Sequence, residues 1–237
     1  MKILGLDSSG LVASVAVVED DELVAEYTTN YKKTHSQTLL PMLEELKSMI
    51  ELDLGTLDAI ALASGPGSFT GLRIGSATAK GLGLALDRPL VEVPTLEGLA
   101  WNLWGTDRVV CPLMDARRNQ VYTAAYEFLP VGEGYELSGI LPQSPRDIQA
   151  VLEELTGLGR AVVFLGDGVP VYRETIREKC GVPYSFAPAN SNRQRAASIA
   201  GLGSVYFSRG MTVDAAGHRP EYLRQSQAEQ EAGREQA

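Results

Sequence analysis

Apolar and polar residues alternate in two rhythms along this chain. Short runs at Ile3 to Asp7, Val12 to Val18 and Leu23 to Thr29 predict three consecutive strands, with the acidic turn Glu19-Asp20-Asp21-Glu22 joining the last two as a hairpin. Leu39, Leu43, Leu46 and Ile50, with Leu40, Met42 and Met49 beside them, then recur at helical spacing. Pro41 must lie in the first turn of that helix or kink it. A strand at Leu57 to Ser64, a helix from Thr70 to Leu86, a strand at Leu90 to Val93 and a short helix from Thr95 to Trp104 follow. The order is βββαβαβα.

The second half repeats this order without obvious sequence identity. Strands fit Val109 to Met114, Val121 to Phe128 and Tyr135 to Leu141. Ser144-Pro145-Arg146-Asp147 reads as a helix start, with Ser at the cap and Pro at the first helical position. A strand at Ala161 to Leu165, a helix ending before Gly181 and a strand near Tyr184 to Ala187 come next. Ser191-Asn192-Arg193-Gln194 has capping-box spacing for a last long helix, which Gly210 closes. Two such copies predict an α/β fold with two mixed sheets, each an antiparallel meander continued by parallel strands through right-handed crossovers. The seam falls near Gly105 to Arg108, giving units at 1–105 and 106–224; the Gln/Glu/Ala-rich end, 225–237, is expected to be solvated and frayed.

Composition narrows the class. Of 237 residues, 44% are hydrophobic and 22% charged, which excludes disorder or coiled coil as a description of the whole chain. No apolar run approaches the roughly 18 residues that span a bilayer, and Asp7 ends the first run too early for a secretory signal, so a cytoplasmic protein is expected. Cys111 and Cys180, the only cysteines, have neither zinc-site spacing nor a disulfide-framework count. A formal net charge of -9 opposes a polyanion as direct ligand, although it describes the surface as a whole.

The sharpest segment is Gly65-Pro66-Gly67-Ser68-Phe69-Thr70-Gly71-Leu72-Arg73, because it follows a strand and opens a helix, where backbone N–H groups favour anions. It misses both common phosphate loops: Thr70 stands where GxGxxG needs Gly, and Leu72-Arg73 where a Walker loop needs Lys-Ser/Thr. A tight turn that orients the helix is the plainer reading. Gly71, Gly75, Ala79 and Gly83 recur at four-residue steps and leave one stripe nearly bare. Glycine inside a helix costs up to about 1 kcal/mol relative to Ala, so the stripe implies close packing, against its own sheet or against a partner chain. Asp7-Ser8-Ser9-Gly10 ends the first strand, and either holds a metal-bound phosphate or simply terminates a strand and turns. His35 lacks a metal partner, since Leu39 occupies the second position of an HxxxH pair, and no GxSxG elbow supports a triad. Arg117 and Arg118 fall between two strands and form either a small anion-binding spot or, more plainly, an ordinary solvated hairpin turn.

Asp-Ser-Ser after the first strand of a twice-repeated order resembles the duplicated RNase H-like fold of actin, sugar kinases and chaperone ATPases. MKILGLDSS (Met1 to Ser9), His35-Ser36 with Leu40-Pro41, SGPGSFTGLRIG (Ser64 to Gly75), MDARRNQVY (Met114 to Tyr122) and PEYLR (Pro220 to Arg224) together resemble the TsaB (YeaZ) family, over about residues 1–224. The resemblance implies a cytosolic partner of TsaD in making threonylcarbamoyladenosine next to the tRNA anticodon, required without doing the chemistry. It implies no catalytic residue, cofactor or metal in this chain, TsaE joining the assembled pair, a homodimer when TsaD is missing, and only indirect contact with tRNA. By the match, the helices after His35 and Gly71 carry the docking surface: His35, Ser36 and Arg73, with Leu39, Leu40 and Leu43 as anchors and Gly75, Ala79 and Gly83 as the close approach. The residues agree on what is missing. An ATPase of this fold needs a second glycine-rich hairpin, and Arg117-Arg118-Asn119 stands there; catalytic TsaD carries an HxxxH pair, and this chain has only His35 with Leu39. The rival readings are an ATP-dependent small-molecule kinase using Asp7 and the Gly65 to Gly71 loop, and a peptidase, for which no nucleophile and base pair is legible.

Overall fold

The structure, a computed structural model, describes residues 1–31, 34–117 and 119–219. Arg118 and the Pro220 to Arg224 segment therefore lie outside the described residues. The first sheet contains β1 (Lys2–Asp7), β2 (Ala13–Glu19), β3 (Glu22–Thr29), β4 (Ala59–Gly65) and β5 (Leu90–Pro94), in the order β3-β2-β1-β4-β5. Strand β1 pairs antiparallel with β2 and parallel with β4, and β4 pairs parallel with β5. The second sheet repeats the plan with β6 (Val109–Asp115), β7 (Gln120–Val131), β8 (Gly134–Asp147), β9 (Val162–Leu165) and β10 (Tyr184–Phe186), ordered β10-β9-β6-β7-β8. Helices α1 (His35–Met49), α2 (Phe69–Leu86) and α3 (Thr95–Trp101) belong to the first half; α4 (Ile148–Leu158), α5 (Gly168–Lys179) and α6 (Ala196–Ser208) to the second. Among the described residues, no helix is long and apolar enough to cross a membrane.

Covered faces explain the sequence pattern of the strands. Residues Ile3 to Asp7 and Ala13 to Val18 are buried throughout, because helices lie on both sides of the first sheet and period-two alternation gives way to continuous apolar runs. On one face, Leu4, Leu6, Val15, Val17, Ile60 and Leu62 pack with Leu39, Leu43 and Leu46 of α1 and Ala79 of α2. The other face, with Ile3, Ala59, Ala61, Ala63, Val91 and Val93, receives Ile199, Ala200 and Leu202 of α6. Reciprocally, Leu96, Leu99 and Ala100 of α3 pack on Val110, Met114, Ala124 and Leu165 of the second sheet. Each half thus lends its last helix to the other sheet, and α3 and α6 form the layer between them. Helix α6 is buried nearly all round, so its sequence shows little amphipathic contrast.

Three local readings change. Ser144 to Asp147 is the end of β8, held to β7 through the pairs Thr123 with Ser144 and Gln120 with Asp147; Pro145 is tolerated because β8 is an edge strand. The cap of α4 is Asp147, whose Oδ1 accepts from Gln149 N at 2.8 Å. Replacing Asp147 by Ala is expected to cost about 1 kcal/mol, measurable by urea unfolding. No capping box forms at Ser191 to Gln194: α6 begins at Ala196 with no side-chain cap, and the carbonyls of Ser191 and Arg193 instead accept from Asn102 Nδ2 at 3.0 and 2.7 Å. Pro41 sits inside α1 on its exposed side, where water can satisfy the carbonyl it leaves unpaired.

Candidate functional site

The end of β1 and the start of α2 form one tightly closed unit. Asp7 is 2% exposed, and its Oδ1 accepts from Ser9 N at 2.9 Å and Ser9 Oγ at 2.7 Å. Burial pushes the Asp7 carboxyl up to about 6 from an ordinary 3.8, against the opposing pull of the two Ser9 hydrogen bonds. Ser8 Oγ donates to Gly71 O at 2.8 Å, and Ser68 N donates to Ser9 O at 2.6 Å. The glycines permit this approach: a Cβ on Gly67 would overlap the Ser9 carbonyl oxygen, and one on Gly71 the Ser8 carbonyl oxygen. His35 Nε2 donates to Gly10 O at 2.8 Å from the first residue of α1. Ser9 N, Ser9 O and Gly10 O are thus each engaged from within the chain. The first turn of α2 is likewise served from within, since Ser68 Oγ accepts from Gly71 N at 3.4 Å and Ser68 O from Leu72 N at 2.8 Å.

The matching turn of the second half carries the exposed side chains of Arg117 and Asn119. Asp115 ends β6, as Asp7 ends β1; its Oδ1 accepts from Arg117 N at 2.9 Å, and its carboxylate pairs with the Arg117 guanidinium at 3.5 Å. Asp167, at the start of α5, accepts from Asp115 N at 3.2 Å, and burial raises its carboxyl above the usual range. Arg117 and Asn119 adopt left-handed φ values of 66° and 59°, the conformation glycine would supply in a phosphate-binding hairpin, but with side chains attached. Among the described residues, no three His, Cys, Asp or Glu side chains gather as metal ligands do.

The docking residues expected from the sequence divide between inside and outside. Leu39 and Leu43 are core residues on the sheet side of α1. The glycine stripe also faces inward: a Cβ on Gly75 would lie 2.5 Å from Ser8 Oγ, Ala79 has no exposed surface, and a Cβ on Gly83 would lie 2.8 Å from the Ala215 Cβ. Gly75, Ala79 and Gly83 therefore let α2 sit close to its own fold, and no second chain can reach them. The anchors Leu39 and Leu43 are corrected for the same reason, since an apolar side chain at helical spacing is first claimed by the sheet beneath it. His35 is half-buried, whereas Ser36, Leu40 and Arg73 are exposed. The Arg73 guanidinium lies over the Phe69 ring at 3.8 Å from its centroid.

Outward, α2 shows a second small-residue stripe that sequence reasoning passed over. Ala77, Gly81 and Ala85 recur at the same four-residue step and are all exposed, and a Cβ on Gly81 would meet nothing within 4 Å. Leu84 beside them and Leu40 on α1 are 61% and 54% exposed. The signal was present: the helix carries small residues on two faces, and only one of them can lie on the sheet.

Two five-stranded mixed sheets with the same βββαβαβα order define a protein of the duplicated RNase H-like fold shared by actin, sugar kinases and chaperone ATPases. A family model described as TsaD, tRNA N6-adenosine threonylcarbamoyltransferase, matches residues 22–232. The tRNA threonylcarbamoyladenosine biosynthesis protein TsaB of Bacillus subtilis (strain 168) is 34% identical over 229 residues, 97% of this chain and 96% of its own. TsaB of Escherichia coli (strain K12) is 33% identical over 162 residues, 66% of this chain and 68% of its own. The solved structure of YeaZ from Pseudomonas aeruginosa superposes with a TM-score of 0.76 at 27% identity, covering 94% of this chain and 99% of that one. The chain belongs to the TsaB (YeaZ) family.

Proposed function

We propose that this chain is a non-catalytic subunit in the formation of threonylcarbamoyladenosine on tRNA, and that it docks on the catalytic subunit TsaD through the outer faces of α1 and α2. The observation that carries this reading is the exposed stripe Ala77, Gly81 and Ala85, flanked by Leu40 and Leu84, beside Ser36 and Arg73. Small residues allow two helix backbones to approach closely, and the flanking leucines supply apolar area at the rim of the contact. Names of the relatives support the pathway, and the family model supports a partner of related fold. A partner of the same fold presents similarly placed helices, so the same surface serves a homodimer when TsaD is missing. TsaE joins the assembled pair, and contact with tRNA is indirect. The non-catalytic role is supported by the closed Asp7 to Gly10 turn and by Arg117 and Asn119 in the second hairpin. The chain works in the cytoplasm and carries no cofactor of its own.

The test is co-purification with TsaD, followed by reconstituted tRNA modification with this chain present or omitted. Gly81→Gln is expected to weaken TsaD binding by about 30-fold or more, as loss of a central interface contact does, without lowering the melting temperature, because the new side chain enters open space. Parental affinity in Gly81→Gln would remove α2 from the interface. Turnover of Mg-ATP by the isolated chain, lost in Asp7→Ala, would replace the whole reading with the kinase.

A further inference from the structure

The segment after α6 turns at Gly210 and runs back to the first half, where it meets α2 and β5 at four places. Val213 exchanges both backbone hydrogen bonds with Leu90, 2.9 Å in each direction, and so covers the open edge of β5, the outermost strand of its sheet. Ala215 is buried and packs at Gly83, which gives the last glycine of the inner stripe its reason. Lys80 Nζ donates to the carbonyls of Ala216 and His218 at 3.0 and 3.1 Å. The His218 ring has no exposed surface, and its Nδ1 pairs with the Glu92 carboxylate of β5. Gly217 N and His218 N both donate to Asp214 O, closing the turn that presents two carbonyls to one ammonium.

The contacts to α2, at Lys80 and Gly83, fall on its fourth and fifth turns. Its first turns are held separately, by Ser8 against Gly71 and Gly75. Gly83 lies on the opposite side of the helix from Gly81, and Lys80 on its flank, so the segment grips α2 without covering the outer stripe. We propose that residues 211–219 are a clamp that fixes the pose of α2, and that Lys80 and His218 are positioning residues for the docking face. A helix that offers only small side chains gains affinity through close approach over its whole length. A loose C-terminal half must be ordered when the partner arrives, and that cost is taken from binding. The clamp stands on the isolated chain, while its effect on docking rests on the function proposed above.

Hydrogen–deuterium exchange on the full chain, with TsaD affinity measured in parallel, separates the two. Lys80→Met keeps the aliphatic stem and removes both donors. Peptides covering Ala77 to Leu86 are expected to exchange about tenfold faster, with α4 unchanged as internal control, and TsaD binding to weaken about fivefold or more. Lys80→Arg should restore both. His218→Gln breaks the Glu92 pairing independently and should loosen the same peptides. Unchanged α2 exchange in both Lys80→Met and His218→Gln overturns the clamp. Faster exchange with parental TsaD affinity overturns the positioning role. Failure of the parent chain to bind TsaD overturns the docking reading, and the clamp is then judged on exchange alone.

Discussion

Alanine at Gly71 is expected to cost at least about 3 kcal/mol, whereas alanine at Gly81 in the same helix should raise stability by up to about 1 kcal/mol. Both are glycines inside α2, and helix propensity treats them alike. The difference lies in what a Cβ meets. At Gly71 it would overlap the Ser8 carbonyl oxygen and lie 3.3 Å from His35 Cδ2. Ser8 cannot retreat, because its hydroxyl is bonded to Gly71 O and its neighbour Ser9 is tied to Asp7 and Ser68. The α2 start must then move, taking with it Gly75 and the core contact of Ala79. At Gly81 the space is open, so only the lower entropy of the unfolded Ala chain counts. Urea unfolding gives both numbers from the shift in midpoint at constant m-value. A Gly71→Ala midpoint equal to that of the parent would mean that the turn and helix are not locked together as described.

Asp7→Asn is expected to stabilise the chain by about 2 kcal/mol at pH 7.5 and to flatten its stability profile between pH 4 and 6. The sign follows from where the proton is held more tightly. Burial raises the folded-state pKa to about 6, above the ordinary 3.8, so the native state binds this proton in a range where the unfolded chain has already released it. Below about pH 4 both states are protonated and the site costs nothing. Between about pH 4 and 6 stability falls as pH rises, and above pH 6 the whole cost of a buried carboxylate remains, about 3 kcal/mol for a shift of this size. Asn keeps the oxygen that accepts from Ser9 N and Oγ and carries no charge; its added NH2 offsets part of the gain. Equal stability of parent and variant at pH 7.5, or an unchanged slope between pH 4 and 6, would show that Asp7 is not the strained group.

The strands were legible because both sheets are covered on two faces, which turns β1, β2, β4 and β6 into apolar runs between turn residues. The starts of α1 and α2 were legible for a local reason, the motif residues His35 and Ser68 to Gly71. Ser144 to Asp147 was misread because Ser-Pro-x-Asp is a good cap signal taken alone, and only pairing with Gln120 to Thr123 makes it strand. Gln194, expected in a capping box, is buried beside Gly10 with its amide unpaired, a placement set by α6 packing across the first sheet. The two stripes of α2 teach the same lesson from the site. Gly71, Gly75, Ala79 and Gly83 announced close packing correctly, but the surface they pack on was chosen by the position of Ser8 and Ala215, distant in sequence.

By itself the sequence determined the twice-repeated βββαβαβα order and the family, because each is written in short-range pattern and residue type. Only the tertiary structure decided which face of α2 is free, that α3 and α6 cross to the opposite sheets, and that the segment around Val213 and His218 returns to hold α2. Helical spacing fixes which residues share a face, but the face that is buried is selected by long-range contacts that lower the free energy only once the whole chain is assembled.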